Sequence, residues 1–284
     1  MTVKRKFLLI VVCIVFLGLL LWVLWGNTAL ECTTYTLTDE HIPVSFDGYR
    51  IAHVSDLHNC AIGKNNNRLL SALEKAQPDM IAITGDLIDS RSTDISVALQ
   101  FAAQAVKLAP CYYVSGNHEA RTSQYSALKE GLTDLGVTVL EDDSVQLQHE
   151  GGTVRLLGVR DPSFRTDYLF GSSETVMDSA LEQLTDDRFY TILLSHRPEL
   201  FDIYAKHSIN LVLSGHAHGG QFRLPFVGGL FAPNQGLFPK YDAGLYTQKN
   251  TCMLVSKGIG RSIIPLRFNN RPEVILVDLA YSGS

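Results

Sequence analysis

The chain has 284 residues, of which 46% are hydrophobic and 19% are charged. This composition excludes a disordered or fibrous protein and fits one globular domain of ordinary size, or two small ones. The net charge of −5 argues against a nucleic-acid partner, because a surface that binds a phosphate backbone is basic. We therefore expect no nucleic acid among its partners.

The first element in chain order is an apolar segment at residues 7–25, which contains no charge and no proline. At about 1.5 Å per residue a helix of this length spans roughly 28 Å, the thickness of the hydrocarbon core of a bilayer. We predict a transmembrane anchor here. The alternative is a cleaved signal peptide, but the apolar run is long for one and no small-residue cleavage motif follows it.

The flanks of this segment predict its orientation. Three consecutive basic residues, Lys4, Arg5 and Lys6, precede it, and Trp22 and Trp25 lie near its other end. Basic flanks stay in the cytoplasm and indole rings favour the membrane interface. We predict a signal-anchor of a single-pass protein of the cell membrane, with a cytoplasmic tail at 1–6 and an extracytoplasmic catalytic domain.

The rest of the chain alternates between short apolar runs and helical patterns. We predict a juxtamembrane segment at 26–48, with an edge strand at 33–38, and a single domain at 49–284. Further strands are predicted at 50–55, 80–84, 111–115, 137–140, 145–149, 154–159, 191–194, 211–213, 253–256 and 273–279. Helices are predicted at 67–75, 97–108, 126–135 and 173–184. This alternation indicates an α/β fold whose parallel strands are buried on both faces, with a ligand site beyond their carboxyl ends.

Polar residues follow five of these strands, at the point where each strand ends. They are Asp56, His58, Asp86, Asn117, His196, His216 and His218. In an extended segment the pairs spaced by two would project to the same side. Carboxylate, amide and imidazole ligands without thiolates suit Mn²⁺, Fe²⁺ or Zn²⁺. A lone Asp or Asn at a strand end is more typical of a turn or a helix cap, and a lone histidine of a hydrogen-bonded core or surface group. The set as a whole predicts a metal site.

The same residues form sequence blocks that resemble the five signature blocks of the calcineurin-like metallophosphoesterases. The blocks are Asp56-Leu-His58, Gly85-Asp86, Gly116-Asn-His-Glu119, Ser195-His196 and Gly215-His-Ala-His218. Three finer patterns are similar to a bacterial branch of membrane phosphohydrolases, namely Ser195-His-Arg-Pro-Glu199, Gly219-Gly-Gln221 and Arg271-Pro-Glu273. The resemblance covers about 49–279. It implies a two-sheet β-sandwich flanked by helices, here preceded by one transmembrane helix.

The resemblance also implies roles for individual residues and two divalent metal ions, Mn, Fe or Zn. One ion would be held by Asp56, His58 and His218, the other by Asn117, His196 and His216, and both by Asp86. His118 would protonate the leaving group. An aspartate at position 56 or nearby would hold the imidazole of His118 in the tautomer that this role requires. The implied reaction is hydrolysis of a phosphodiester, pyrophosphate or phosphomonoester by a hydroxide shared between the two ions.

Other residues are weaker candidates. Arg197, Arg160 and Arg165 would suit bidentate binding of a substrate phosphate, or they form ordinary ion pairs. Glu119 would support a metal-binding imidazole or lie at a helix N-terminus. Residues 222–244, which are rich in glycine, proline and aromatic residues, would form a lid, a substrate wall facing the membrane, or an ordered loop.

A membrane anchor places the site at a high effective concentration of lipid head groups. We therefore expect a phosphorylated lipid-linked or cell-envelope substrate, cleaved at a phosphodiester or pyrophosphate. The alternatives are a phosphomonoesterase and a nucleotide-sugar-lipid pyrophosphatase, the latter disfavoured by an outward orientation. A non-catalytic metal-binding scaffold is disfavoured by the complete set of ligands, and a nuclease by the acidic composition. The metal, the natural substrate and the oligomeric state are left open.

Overall fold

A computed structural model describes residues 3–92, 94–165, 172–186, 188–261 and 266–283. The helices are α1 (Val3–Gly26), α2 (Asn67–Ala76), α3 (Ser96–Ala105), α4 (Asn117–Ala120), α5 (Tyr125–Asp134), α6 (Ser173–Leu184) and α7 (Phe201–Lys206). The first eight strands are β1 (Glu31–Asp39), β2 (Arg50–Val54), β3 (Met80–Thr84), β4 (Cys111–Val114), β5 (Thr138–Val139), β6 (Asp143–His149), β7 (Gly152–Gly158) and β8 (Thr191–Leu194). The later strands are β9 (Leu211–Ser214), β10 (Arg223–Leu224), β11 (Gly228–Gly229), β12 (Phe231–Ala232), β13 (Gly236–Leu237), β14 (Gly244–Gln248), β15 (Thr251–Val255) and β16 (Glu273–Tyr281).

The strands form two six-stranded sheets and two short hairpins. The first sheet has the order β1-β16-β2-β3-β4-β5, and the second has the order β14-β15-β9-β8-β7-β6. Strands β2 to β5 are parallel, as are β7, β8, β9 and β15. The predicted α/β fold with two packed sheets is confirmed, and β1 lies at a sheet edge as predicted.

The alternation of side chains along the strands builds three apolar layers. Ile51 and Ile192 point between the two sheets. Their neighbours in sequence point outward, Ala52 toward the layer that contains α2, α3 and α5 and Leu193 toward the layer that contains α6 and α7. Because both faces of these strands are covered, their sequences are continuous apolar runs rather than alternating ones.

Helix α1 contributes no buried residue. Its apolar stretch has a mean hydropathy of 3.3, so its length and composition would allow it to cross a membrane, a test that a signal sequence near the N-terminus also passes. The domain contacts its C-terminal end. The Asn27 side chain donates to the Arg267 carbonyl and accepts from the Arg267 N–H, both at 2.8 Å, and the Trp22 ring meets the Phe268 ring edge-on at 5.2 Å.

Several elements differ from the sequence predictions. Strand β14 and helices α4 and α7 were not predicted, and the segment at 222–244 contains two ordered hairpins, β10–β11 and β12–β13. Strands of two residues are too short for a periodic pattern, and α4 and α7 span at most two turns. Apolar periodicity is therefore absent where these elements were missed.

Candidate metal centre

The seven predicted metal ligands lie in loops at one end of both sheets. Asp56 and His58 follow β2, Asp86 follows β3, Asn117 begins α4 after β4, His196 follows β8, and His216 and His218 follow β9. All seven side chains are buried, and none is more than 7% exposed. The structure therefore brings together every residue predicted to bind metal.

The backbone reaches this arrangement differently from the sequence prediction. The pairs spaced by two were expected to share a face because their segments would be extended. Instead Asp56, His58, His216 and His218 all have left-handed backbone conformations, with φ between 46° and 66°. That expectation was wrong, because each pair lies in a tight turn beyond its strand. Such conformations cost energy for residues other than glycine and cluster at functional sites.

Glycine permits the close approach of two of these loops. Gly85, which precedes Asp86, has a φ of 83°. A Cβ atom at this position would lie 2.6 Å from the Gly116 nitrogen. The turns that carry Asp86 and Asn117 can therefore touch only because neither position has a side chain.

The ligand atoms form two groups that share Asp86. In the first group the Nε2 atoms of His58 and His218 are 3.1 Å apart, and His218 Nε2 is 3.4 Å from Asp56 Oδ1. In the second group His216 Nδ1 is 3.2 Å from His196 Nε2. Asp86 Oδ2 lies between the groups, 3.5 Å from His58 Nε2 and 3.2 Å from His196 Nε2. Nitrogen and carboxylate lone pairs thus converge on two adjacent points.

The residues present fit two divalent cations. The donors are imidazole nitrogens and carboxylate oxygens without thiolates, a set that suits borderline divalent ions. Asn117 Oδ1 is buried and has no hydrogen-bond partner among the described residues. Leaving a buried acceptor unsatisfied is costly, and a cation at this position would satisfy it.

The electrostatics of the centre keep two of its imidazoles, His216 and His218, neutral and favour positive charge beside Asp86. Burial lowers the pKa of His218 to about 3. Burial, with the nearby Arg197 charge, holds the pKa of His216 well below its usual value. Although burial opposes it, Asp86 raises the pKa of His196 to about 10. Neutral imidazoles are the form that binds metal, and Asp86 stabilises a cation beside it.

His118 lies beside the first group, on α4. Its Nδ1 atom accepts a hydrogen bond from the Ser90 N–H at 3.0 Å and lies 3.5 Å from Asp89 Oδ1. The sequence placed an aspartate at or near position 56 in this role. The structure places the backbone N–H of Ser90 on Nδ1 instead, because the loop after β3 folds over α4. A backbone donor on Nδ1 leaves the proton of the neutral ring on Nε2.

Glu119 ties the two central loops together. Its buried carboxylate accepts hydrogen bonds from the backbone N–H groups of Asp86 at 2.9 Å, Gly116 at 2.8 Å and Ile88 at 3.2 Å. Burial raises the pKa of Glu119, and the hydrogen bonds from Gly116 and Ile88 oppose that shift. Of the two predicted roles, support of an imidazole is not what the structure shows. Glu119 is at the start of a helix and fixes the backbone of the loops that carry Asp86 and Asn117.

Arg197 is buried beside the second group. Its guanidinium makes a bidentate pair with Asp161, at 2.5 and 2.9 Å, and its Nη1 atom is 3.2 Å from His216 Nε2. Ser163 Oγ accepts a further bond from Nη2 at 2.9 Å. Most N–H groups of the Arg197 guanidinium therefore donate to groups within the protein. In this arrangement Arg197 fixes the position of His216, and two adjacent N–H groups are not left for a bidentate contact with a phosphate.

Arg160 and Arg165 form ion pairs, which is the alternative given for them in the sequence analysis. Arg160 lies 3.4 Å from Glu141 and over the ring of Phe164, at 5.8 Å, and Arg165 pairs with Asp142 at 3.0 Å. No contact between either arginine and the seven ligands is found among the described residues. The binding of substrate by Arg160 stays a prediction.

Sequence reasoning missed two residues near the centre, Asp161 and Asn234. Asp161 pairs with Arg197 across 36 positions in the chain. Asn234, in the turn between β12 and β13, has its side-chain nitrogen 3.4 Å from His216 Nε2 and donates to Glu199 at 2.8 Å. The only signal for Asp161 was its position shortly after a predicted strand, and Asn234 had only the Pro-Asn dipeptide typical of a turn.

Comparison with known proteins identifies the family. Residues 49–220 match the family model for calcineurin-like phosphoesterases. The chain is similar to an uncharacterized metallophosphoesterase, YkuE, of Bacillus subtilis, with 31% identity covering 88% of this chain and 85% of the relative. It is also similar to a Bos taurus transmembrane protein with a metallophosphoesterase domain, with 30% identity over 85% of this chain, although the match spans only 55% of that protein.

Two further likenesses agree with this result. The phosphodiesterase YaeI of Escherichia coli is 26% identical over 81% of this chain and 82% of its own length. The structure of TT1561 from Thermus thermophilus has the same fold, with a TM-score of 0.51, 12% identity, and coverage of 74% of this chain and 89% of that one. Calcineurin-like phosphoesterases are hydrolases that act on phosphoester bonds and use divalent metal ions. The chain belongs to the calcineurin-like phosphoesterase family.

Proposed function

We propose that the protein is a dinuclear-metal-dependent phosphohydrolase that cleaves a phosphodiester or pyrophosphate of a lipid-linked or cell-envelope substrate. The observation that carries this proposal is the position of Asp86. Its Oδ2 atom lies within 3.5 Å of one nitrogen from each ligand group, so a single carboxylate would contact both cations. Two-cation centres of this kind are suited to displacement at phosphorus.

The ligand assignment follows the two groups. Asp56, His58 and His218 would hold one cation, with Mn, Fe or Zn as candidates. Asn117, His196 and His216 would hold the other. When bound, the two cations lower the pKa of water and offset the charge of the phosphoryl oxygens.

The proton for the leaving oxygen would come from His118. Its Nδ1 atom accepts from the Ser90 N–H, so the transferable proton is on Nε2. The backbone N–H of His118 donates to Asp86 Oδ1 at 2.8 Å, which fixes the position of His118 relative to the shared ligand. A positioned general acid of this kind typically contributes about 10²–10⁴-fold in rate.

The substrate class is supported by α1 and by one relative. A helix with the length and hydropathy of a membrane span precedes the domain directly, and we propose that it anchors the domain outside the cytoplasm. Phosphate groups at the bilayer would then be presented to the site at high effective concentration. The name of YaeI, a phosphodiesterase, favours diester over monoester cleavage.

The test uses the full chain in detergent micelles with bis(p-nitrophenyl) phosphate and p-nitrophenyl phosphate. We expect Mn²⁺-dependent turnover of the diester, loss of that turnover with chelator, and slower turnover of the monoester. Asp134→Asn, an exposed aspartate on α5, is the matched control for Asp86→Asn, which should lose activity. Faster turnover of the monoester would favour a phosphomonoesterase, and bound metal without turnover of either ester would favour a narrow pyrophosphatase or a scaffold.

A further inference from the structure

The two short hairpins carry an exposed apolar surface. Six side chains form it, and we call them the hairpin surface: Leu224, Phe226, Val227, Phe231, Leu237 and Phe238. Their exposure ranges from 40% for Leu224 to more than 100% for Phe226. Residues 223–240 contain no acidic residue and two basic ones, Arg223 and Lys240. Exposed apolar side chains grouped on neighbouring segments without acidic charge are typical of an interaction site.

The backbone holds two of these phenylalanines in unfavourable turn positions. Phe226 has a φ of 66° and Phe238 a φ of 53°. A left-handed conformation is unusual for a bulky residue, and glycine or asparagine would adopt it more easily. Both phenylalanine side chains are nevertheless directed into solvent. The turn geometry therefore does not explain why phenylalanine occupies these two positions. We infer that the exposed aromatic rings do.

The hairpin surface adjoins the C-terminal end of α1. Phe222, directly before β10, stacks on Phe268 with ring centroids 6.5 Å apart. Phe268 in turn contacts Trp22. Trp22 lies four residues before Gly26, so the domain reaches roughly 6 Å along the helix from its end. The loop that links helix and hairpins is therefore level with the last turn of the apolar helix.

The hairpins also border the metal centre. A Cβ atom at Gly220, two residues after His218, would collide with Gly229 of β11. The turn between β12 and β13 places Asn234 beside His216. Side chains of the same hairpin, Phe231 and Leu237, belong to the exposed surface. The β12–β13 hairpin therefore contacts a predicted metal ligand and also carries part of the hairpin surface.

We propose that the hairpin surface is a second membrane contact, which inserts between lipid head groups and holds the metal centre against the bilayer. The occupant is the membrane into which α1 inserts, because the surface is continuous with the end of that helix through Phe222, Phe268 and Trp22. Exposed aromatic and aliphatic side chains with basic neighbours bind membrane interfaces in this way. The inference rests on the proposed anchoring by α1, and it does not depend on the substrate.

The test is photo-crosslinking of the full chain in vesicles of phosphatidylcholine and phosphatidylglycerol. p-Benzoylphenylalanine is introduced at one position per variant, and lipid adducts are detected by mass spectrometry of the intact protein. Leu237 and Phe226 are the test positions, and Leu21 on α1 is the positive control. Val44 is the matched negative control: it is 67% exposed, as Leu237 is. It also lies beyond the far end of β1, a strand roughly 26 Å long.

We expect lipid adducts in the variants with the crosslinker at Leu237, Phe226 and Leu21. We expect no lipid adduct in the variant with the crosslinker at Val44. Labelling of Leu21 without labelling of Leu237 or Phe226 would overturn the hairpin contact and leave the anchor intact. Absence of labelling at Leu21 would overturn both. Adducts between two protein chains at Leu237 would show that a second copy, not the bilayer, covers the surface. None of these readouts depends on catalytic activity, so they are separate from the test of the proposed function.

Discussion

Glu119→Gln is the most informative single change in this protein, because it removes one acceptor without removing volume. The Oε2 atom of Glu119 accepts from the N–H groups of Asp86 and Gly116, and Oε1 accepts from that of Ile88. In glutamine one of these oxygens becomes an NH₂ group, which cannot accept. At least one buried N–H is then left facing a donor, and the two loops that carry Asp86 and Asn117 lose part of their connection.

The expected effects follow from typical magnitudes. An unsatisfied buried donor costs about 1–3 kcal/mol in the free energy of unfolding. A chain of this size loses about 2–4 °C in Tm per kcal/mol, so Tm should fall by roughly 2–12 °C. Because the loops position metal ligands, Mn²⁺ affinity should also fall, by about 10–100-fold for a change to a group that supports ligands.

The measurements are thermal unfolding in chelator and calorimetric titration with Mn²⁺, both on the full chain in the same detergent. Glu130→Gln is the matched control, because Glu130 is an exposed glutamate on α5 and its loss should change stability by less than about 0.5 kcal/mol. If Glu119→Gln melts and binds Mn²⁺ as the unmodified chain does, the carboxylate does not hold these loops and the reasoning is refuted.

Three further predictions concern the centre itself. Asp86→Ala should abolish hydrolysis and weaken binding of both cations, because the shared ligand is lost, and retained activity would overturn the assignment. His118→Ala should retain both cations and lose about 10²–10⁴-fold in rate, least for esters with good leaving groups. Lost metal in that variant would contradict its role as an acid. Arg197→Met should destabilise the chain by about 3–5 kcal/mol, because Asp161 stays buried without its partner. Adding Asp161→Asn should restore part of this stability, and no restoration in a double-mutant cycle would show that the pair is not coupled.

The location of the centre was predictable from the sequence because the strands that carry it are continuous apolar runs. Each run ends abruptly at a polar residue, and the carboxyl ends of parallel strands meet at one edge. The reason given for the paired ligands was nevertheless wrong. Asp56 and His58 come together through left-handed turns, and spacing alone does not reveal the sign of φ.

The contacts around the ligands were not predictable. The donor to His118 is the backbone N–H of Ser90, and a backbone group leaves no signature in residue types. Asp161 reaches Arg197 from a distant loop, which only the folded topology determines. The hairpins at 222–244 were missed for a different reason, because their two-residue strands are defined by turns and contacts rather than by periodicity.

Strand β16 has a consequence for how the domain is made. It is the last strand in the chain, yet it lies between β1 and β2 in the first sheet, and its register joins Glu31 to Glu273. During synthesis β1 therefore has no neighbour to pair with until residues 273–281 have left the ribosome. A truncation before residue 273 would remove an interior strand rather than an edge. The segment that joins α1 to the domain would then lose the strand with which it pairs.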